Sequence, residues 1–402
     1  MAAPNAPLHL AIALDGAGWH PAAWREPAAR SAELSTAHYW IDLVREAEHG
    51  FIDFVTIEDS LSLQSSQYNE LDGRSDQVRG RLDAVLIAAR VAPVTTCVGL
   101  VPTVVVTHTE PFHISKAIAT LDYVSTGRAG VRVQVSARAH EARNFGRRAI
   151  PPIQVQNRSD PEVQRVLTDL LDEAADYVEV VRRLWDSWED DAEIRDVATG
   201  RFVDRDKLHY INFEGRYFSV RGPSITPRPP QGQPVVTALG HDSATYQLIA
   251  RSTDVGFVAP RDVDHARAIV NEIRSEQALA SGSARPLHVL ADLVVFIDTN
   301  AARAAERKAR LDDLAGSHFV SDAKVFVGTP IELADLLLDW RRAGLSGFRL
   351  RPGAVPHDLE AITRALVPEL QRRGAFRAAY EANSLRGLLG LPRPANRYAA
   401  AS

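Results

Sequence analysis

With 402 residues, 45% of them hydrophobic and 24% charged, the chain is long enough for one large α/β barrel or two average domains with packed cores. Its net charge of −5 offers no general attraction to nucleic acid or to an anionic membrane surface. The single cysteine, Cys97, excludes an intramolecular disulfide and a thiolate metal cluster, and its apolar setting in "TTCVGLVP" predicts a small buried hydrophobe.

In chain order, "LHLAIAL" is predicted as a buried strand rather than a secretory leader. No stretch approaches the ~18 uninterrupted apolar residues of a membrane span, so a cytoplasmic protein is expected. "AHYWIDLVREAEHG" has helical spacing and ends at Gly50, before the strand "FVTIE". "CVGLVPTVVV" reads as a strand, "ISKAIATLDYVSTG" as a helix, and "VRVQV", "PVVTAL", "DVGFVAP", "VLADLVVFI" and "GFRLRP" as further strands. Eight candidate strands with intervening helices predict a parallel (β/α)8 TIM barrel spanning residues 1–402 as one domain. An open doubly wound sheet is the alternative, because alternation alone does not show closure.

Two excursions exceed normal loop length, residues 137–165 and 186–233. Both are expected to pack around the carboxyl face, where the loops of a barrel build its site. The second contains "HYINFEGRYFSV", a predicted hairpin turning at Glu214 and Gly215.

Several residues have the chemistry of a site. Asp59 follows the second strand in "DFVTIEDSL", where it either caps the next turn or faces the barrel mouth. Thr103 lies in the third strand and offers a hydroxyl. His108 and His113 stand near the same end; lone histidines are usually structural, and their spacing gives no metal triad. In "GVRVQVS", Val131, Val133 and Val135 share one face while Arg132, Gln134 and Ser136 share the other, the lumen side of a barrel. A buried Arg132 requires either a carboxylate partner or an anionic ligand. "VVTALGHDSATYQ" runs from a strand into a helix N-terminus, a natural anion site. Asp242 at that point is instead a good N-cap, and a phosphate about 4 Å from its charge would be repelled by roughly 4 kcal/mol at an effective dielectric of 20. No catalytic residue is singled out.

Taken together, "ATLDYVSTGRAG", "ARNFG", "VEVVRRLWDSWEDDA", "FEGRYFSVRGP" and the C-terminal "VPELQRRGAFRAAYEANSLRGLLGLPRPANRY" resemble the bacterial-luciferase-like flavin-dependent monooxygenases. The branch they resemble is that of the nitrilotriacetate and dibenzothiophene-sulfone monooxygenases. The resemblance implies a luciferase-like barrel with insertions and reduced FMN supplied by a separate flavin reductase. It also implies O2 and a small organic substrate, and a homodimer or homotetramer. It places Asp59, Thr103, Ser136 and Gly240 at the cofactor.

The same resemblance exposes departures. Arg132 stands at an asparagine position and Val135 at a threonine position. A His/Tyr pair on the long helix is replaced by Leu167 and Leu171, which cannot donate to a phosphate. At the strand-to-helix turn, Asp242 replaces a serine and Thr245 a glycine, where the family holds the flavin phosphate. Arg132, Arg138 and Arg143 are the candidate compensating cations. The alternatives are a barrel that has lost flavin and acts as a binding or partner protein, and a deazaflavin-dependent oxidoreductase.

Overall fold

The computed structural model describes residues 7–399 apart from 155, 158 and 282–285. The N-terminal half alternates β1 (His9–Leu14), α1 (Ala37–His49), β2 (Phe54–Ile57), α2 (Ala84–Val91), β3 (Gly99–Val105), α3 (Pro111–Val124) and β4 (Gly130–Gln134). Next come α4 (Ala139–Phe145), the long α5 (Pro161–Asp186), and two hairpins, β5–β6 (Glu193–Asp196, Arg201–Val203) and β7–β8 (Phe213–Glu214, Ser219–Val220). The second half runs β9 (Val235–Gly240), α6 (Ser243–Ser252), β10 (Val255–Val258), α7 (Val263–Ser281), β11 (His288–Ile297), α8 (Ala301–Ala315), β12 (Lys324–Gly328), α9 (Pro330–Arg341) and β13 (Gly347–Pro352). Short helices α10 (His357–Ala361), α11 (Val367–Arg372) and α12 (Leu385–Leu388) end it.

All eight strands expected from the sequence form, and they close. β1, β2, β3, β4, β9, β10, β11 and β13 pair in parallel in that order, and β13 returns to β1 with His9 opposite Gly347. A ninth strand was not expected. One edge of β11 pairs with β10 over His288–Ala291 and then with β12 over Leu293–Ile297, so β12 heightens the wall beyond the end of β10.

Local chemistry sets the elements. Thr36 caps α1 by accepting from the Tyr39 amide, and Tyr39, Leu43, Val44 and Ala47 bury one face. Gly50 does end this helix, but the positive φ belongs to Phe51, at 56°. Glycine is needed at 50 because a Cβ there would lie 2.6 Å from the Thr363 side chain. As the period of two predicts, Val131 and Val133 pack outward in the core that includes Tyr177, Val178 and Val181 of α5. At the amino end the lumen is filled by Ala11, Phe54, Val101, Val235, Val255, Phe257 and Leu290, sealed from below by Leu385, Leu389 and Leu391.

Two expectations need correction. Residues 186–233 do not surround the carboxyl face. They leave α5 at its C-terminal end, which in a β/α unit lies at the amino end of the barrel. There Arg228 clamps Asp186 at 3.0 Å, Asp190 at 2.9 Å and the Pro394 carbonyl at 2.9 Å, and Gln231 binds Asp122 at the end of α3. The expected hairpin forms as β7–β8, and Tyr217 and Arg216 near its tip reach Asp169 on the outside of α5. Cys97, expected to be buried, is half-buried: the Thr96, Cys97 and Val98 amides all donate to Glu48, which holds this segment near the surface.

The described residues of 137–165 do stand at the carboxyl end. They share it with connections not singled out from the sequence, above all residues 59–83. This segment bonds to α4 through Ser60 and Ser62, to the Ile153 backbone through Asn69, and to the Ala315 carbonyl through Arg74. It forms a roof over the mouth of the barrel.

Candidate active site at the carboxyl mouth

Beneath the roof, the upper lumen holds charge. Arg132 of β4 donates to Glu58 at 2.7 Å and to the Thr103 hydroxyl at 2.9 Å. Arg349 of β13 reaches the other Glu58 oxygen at 3.3 Å and grips Asp292 through Nε at 2.8 Å and Nη2 at 2.5 Å. Arg351 also bonds to Asp292, and donates to Asp322 at 2.7 Å while stacking 4.4 Å from the Trp19 ring. Burial pushes the Glu58 carboxyl upward, but Arg132, Arg349 and Arg351 outweigh it and hold Glu58 below its ordinary range. Asp292 is held low in the same way by Arg349 and Arg351. The partner of Arg132 is therefore a carboxylate of the chain, the first of the two possibilities left by the sequence.

The cluster alternates along its strands. Glu58, Asp292, Arg349 and Arg351 escaped sequence reading because each sits in an otherwise apolar strand run; inward charges two residues apart in "GFRLRP" were the available signal.

The four positions tied to a cofactor by resemblance have these surroundings. Asp59 accepts from the Ser60 amide at 2.7 Å and from the Ala84 amide at the start of α2 at 2.9 Å. Burial raises its pKa. Thr103 is buried and occupied by Arg132. Ser136 is buried at the end of β4, its amide donating to the Thr107 hydroxyl and its own hydroxyl accepting from the Arg138 amide. Gly240 ends β9 under α6, where a Cβ would lie 2.9 Å from Ile249 and Tyr246. Leu167 packs among Ala137, Ala142, Ile150 and Ile153, and Leu171 against the main core. Arg143 is exposed, and Arg138 lies over Tyr68 and 3.9 Å from Glu141.

Around the ends of β3 and β4, several buried polar atoms have no hydrogen-bond partner among the described residues: Arg132 Nε, His108 Nε2, His140 Nδ1 and Glu141 Oε2. His140 and Glu141 touch the roof, His140 Nε2 sharing a 2.9 Å bond with Ser62. His108 stacks 5.0 Å from Phe145, and burial lowers its pKa, which leaves it a neutral imidazole at pH 7. His113 is exposed on α3. Beside the cluster, a cavity of about 400 Å³ is lined by Asp15, Leu34, Trp40, Glu58, Arg81 and Leu82. Arg81 pairs with Asp15 at its rim.

The N-terminus of α6 is closed on itself. Asp242 Oδ1 accepts from the Thr245 amide at 3.0 Å. The Thr245 hydroxyl accepts from the His241 amide at 2.9 Å and the Asp242 amide at 3.1 Å, completing a capping box. The neighbouring His241 lies 3.5 Å from Asp322, whose charge Arg351 already shares with Asp292.

A closed parallel barrel with its polar cluster at the carboxyl mouth is the scaffold of a large enzyme class, and residues 19–322 match the Luciferase-like monooxygenase family, to which the chain belongs. It is 31% identical to the N-acetyl-S-(2-succino)cysteine monooxygenase of Bacillus subtilis (strain 168), over 98% of both chains. It is 29% identical to nitrilotriacetate monooxygenase component A of Aminobacter aminovorans, again over 98% of both. Among solved structures, riboflavin lyase bound to a modified FMN and riboflavin superposes with a TM-score of 0.81 at 25% identity, over 96% of each chain.

Tested against FMN, the residues divide. The unpaired Arg132, His108 and His140 nitrogens have the chemistry called for by the nitrogen and oxygen edge of a flavin ring, which offers both donors and acceptors. The phosphate end is opposed at α6, where the His241, Asp242 and Thr245 amides are already used and two carboxylates stand nearby.

Proposed function

We propose that the chain is the oxygenating component of a two-component monooxygenase, taking reduced flavin from a separate reductase and using O2 to oxidise a small organic substrate. The observation that carries this reading is the roofed carboxyl mouth, where buried polar nitrogens at the ends of β3 and β4 lack protein partners. Reduced flavin, when bound, supplies the electrons that activate O2. The chain supplies the enclosure: residues 59–83 exclude water, Arg132 and Thr103 offer donors to the ring, and His108 and His140 hold or pass protons. Asp59 and Ser136 frame the same end of the lumen. The cavity beside Trp40 and Arg81, with its apolar wall and its ion pair, suits a small substrate carrying both an apolar part and a charged group. We place this protein in the cytoplasm, as a homodimer or homotetramer; its one free cysteine suits a reducing compartment.

The self-paired arginine cluster favours a second reading, a family barrel that holds no flavin and serves a partner protein. Anaerobic titration separates the two. The monooxygenase reading expects reduced flavin to bind more tightly than oxidised flavin, followed by O2-dependent turnover when a reductase is supplied. Folded protein that binds neither redox form would leave the second reading.

A further inference from the structure

We infer that this chain takes flavin by the ring and is indifferent to its phosphate, because Asp242 and Thr245 close the strand-to-helix turn from β9 to α6, whose helix N-terminus would otherwise suit a phosphate. The inference rests on the flavin-dependent reading above and concerns which flavin that site accepts.

A helix N-terminus binds phosphate through its free first-turn amides and the positive end of its dipole. At α6 three of the amides around the turn are already taken and a fixed negative charge stands at the dipole's positive end. The Thr245 hydroxyl takes the His241 and Asp242 amides, and the Asp242 carboxylate takes the Thr245 amide. The two side chains also lie within 2.9 Å of each other, and the Thr245 hydroxyl is 2.8 Å from the Asp242 carbonyl, which ties the cap to its own backbone. The Asp242 charge sits where the incoming phosphate charge would lie, and Asp322 adds a second carboxylate beside His241.

The arginines of the upper lumen are already engaged by carboxylates. Arg351 is divided between Asp292 and Asp322, Arg132 is held by Glu58, and Arg349 by Asp292. Arg143 is exposed on α4, beyond β4. Leu167 and Leu171 lie in apolar contacts and offer no donor. The cap and the lumen arginines are therefore committed, and the two leucines offer only apolar contact. A flavin without a phosphate meets none of these obstacles.

The test compares reduced FMN with reduced riboflavin by anaerobic titration, following fluorescence or heat, in the full chain and in three variants: Asp242→Asn, Asp242→Ser and Asp242→Ser/Thr245→Gly. Asparagine keeps the cap and removes the charge, so it remains informative if the double variant folds poorly. Wild type is expected to bind the two flavins within about threefold of each other. Asp242→Asn should tighten FMN several-fold and the double variant by about tenfold or more, with riboflavin nearly unchanged in each. Wild type that prefers FMN over riboflavin by more than about tenfold would overturn the inference while leaving the flavin-dependent reading intact. If wild type binds neither flavin, that reading falls. The turn is then judged on the variants alone: a gain of FMN binding supports the closed cradle, and no gain in protein with native circular dichroism overturns it.

Discussion

Glu58→Gln removes one charge from the centre of the buried cluster and changes almost nothing in shape. Glu58 meets Arg132 at 2.7 Å and Arg349 at 3.3 Å, and all three side chains are buried. At an effective dielectric of 20, the shorter pair alone represents roughly 6 kcal/mol of attraction. Most of that offsets the desolvation of the two groups, so the net effect must be taken from the cost of orphaning a partner, about 3–5 kcal/mol. Arg349 keeps Asp292, whereas Arg132 is left with only the neutral Thr103 hydroxyl and the new amide. We therefore expect a loss of about 3 kcal/mol at pH 7, measured by urea unfolding followed by tryptophan fluorescence.

The pH dependence fixes the sign. The folded pKa of Glu58 is depressed, so its contribution is fully present above the unfolded value of about 4.3 and is lost as pH falls through the lower folded value. The difference between wild type and Glu58→Gln should hold steady from pH 7 to about 5 and shrink only in stronger acid. Glu58→Gln/Arg132→Met, which removes both charges, should be more stable than Glu58→Gln alone. A single-variant loss below about 1 kcal/mol, or a double variant worse than the sum of its parts, would refute the orphaned-charge account.

Gly240→Ala should lower stability by about 1–3 kcal/mol, seen as a fall in Tm, because its Cβ would press on Ile249 and Tyr246; an unchanged Tm would show that α6 shifts freely. Ser62→Ala breaks the contact of the roof to His140 and one of its two bonds to Glu141, leaving that of Ser60, and limited proteolysis should cut residues 59–83 several-fold faster with the rest of the chain intact; equal cleavage rates would mean the roof is held elsewhere. Arg228→Ala removes one of the two arginines on Asp186 at the amino end, leaving Arg397 at 3.2 Å, and should cost about 2 kcal/mol in urea unfolding, with flavin titration unaffected; altered flavin binding would contradict the separation of the two ends.

The barrel was legible because each strand carries its own pattern: apolar runs of strand length, broken by glycine or by helical spacing, are local signals. Closure and the site are not local. Nothing in "VLADLVVFI" shows that Asp292 will meet Arg349 and Arg351, because that contact needs β11 beside β13. Arg132 was legible as a lumen residue from its period of two, yet its partner Glu58 follows β2, a strand that β3 separates from β4. Asp242 was legible as a cap because its partner is three residues away. The excursion after α5 was placed at the wrong end because its length was read without the direction of the helix before it. β12 passed unseen in "AKVFVG", too short a run to stand out beside the charged residues around it.

Closure between the first and last barrel strands bears on how the protein is made. β1 leaves the ribosome early, but its partner β13 starts only at Gly347, and the seal of Leu385, Leu389 and Leu391 comes later still. At ordinary translation speeds of about 5–20 residues per second, β1 waits tens of seconds before β13 exists to pair with it. Throughout that time the unpaired amides and carbonyls of "HLAIAL" can template another chain, as any bare edge can. The arginine and carboxylate members of the upper lumen, delivered by β2, β4, β11 and β13, also wait for one another in water. Chains stopped short of β13 are thus expected to be captured by chaperones or to aggregate, while a stop beyond Leu391 leaves a finished barrel.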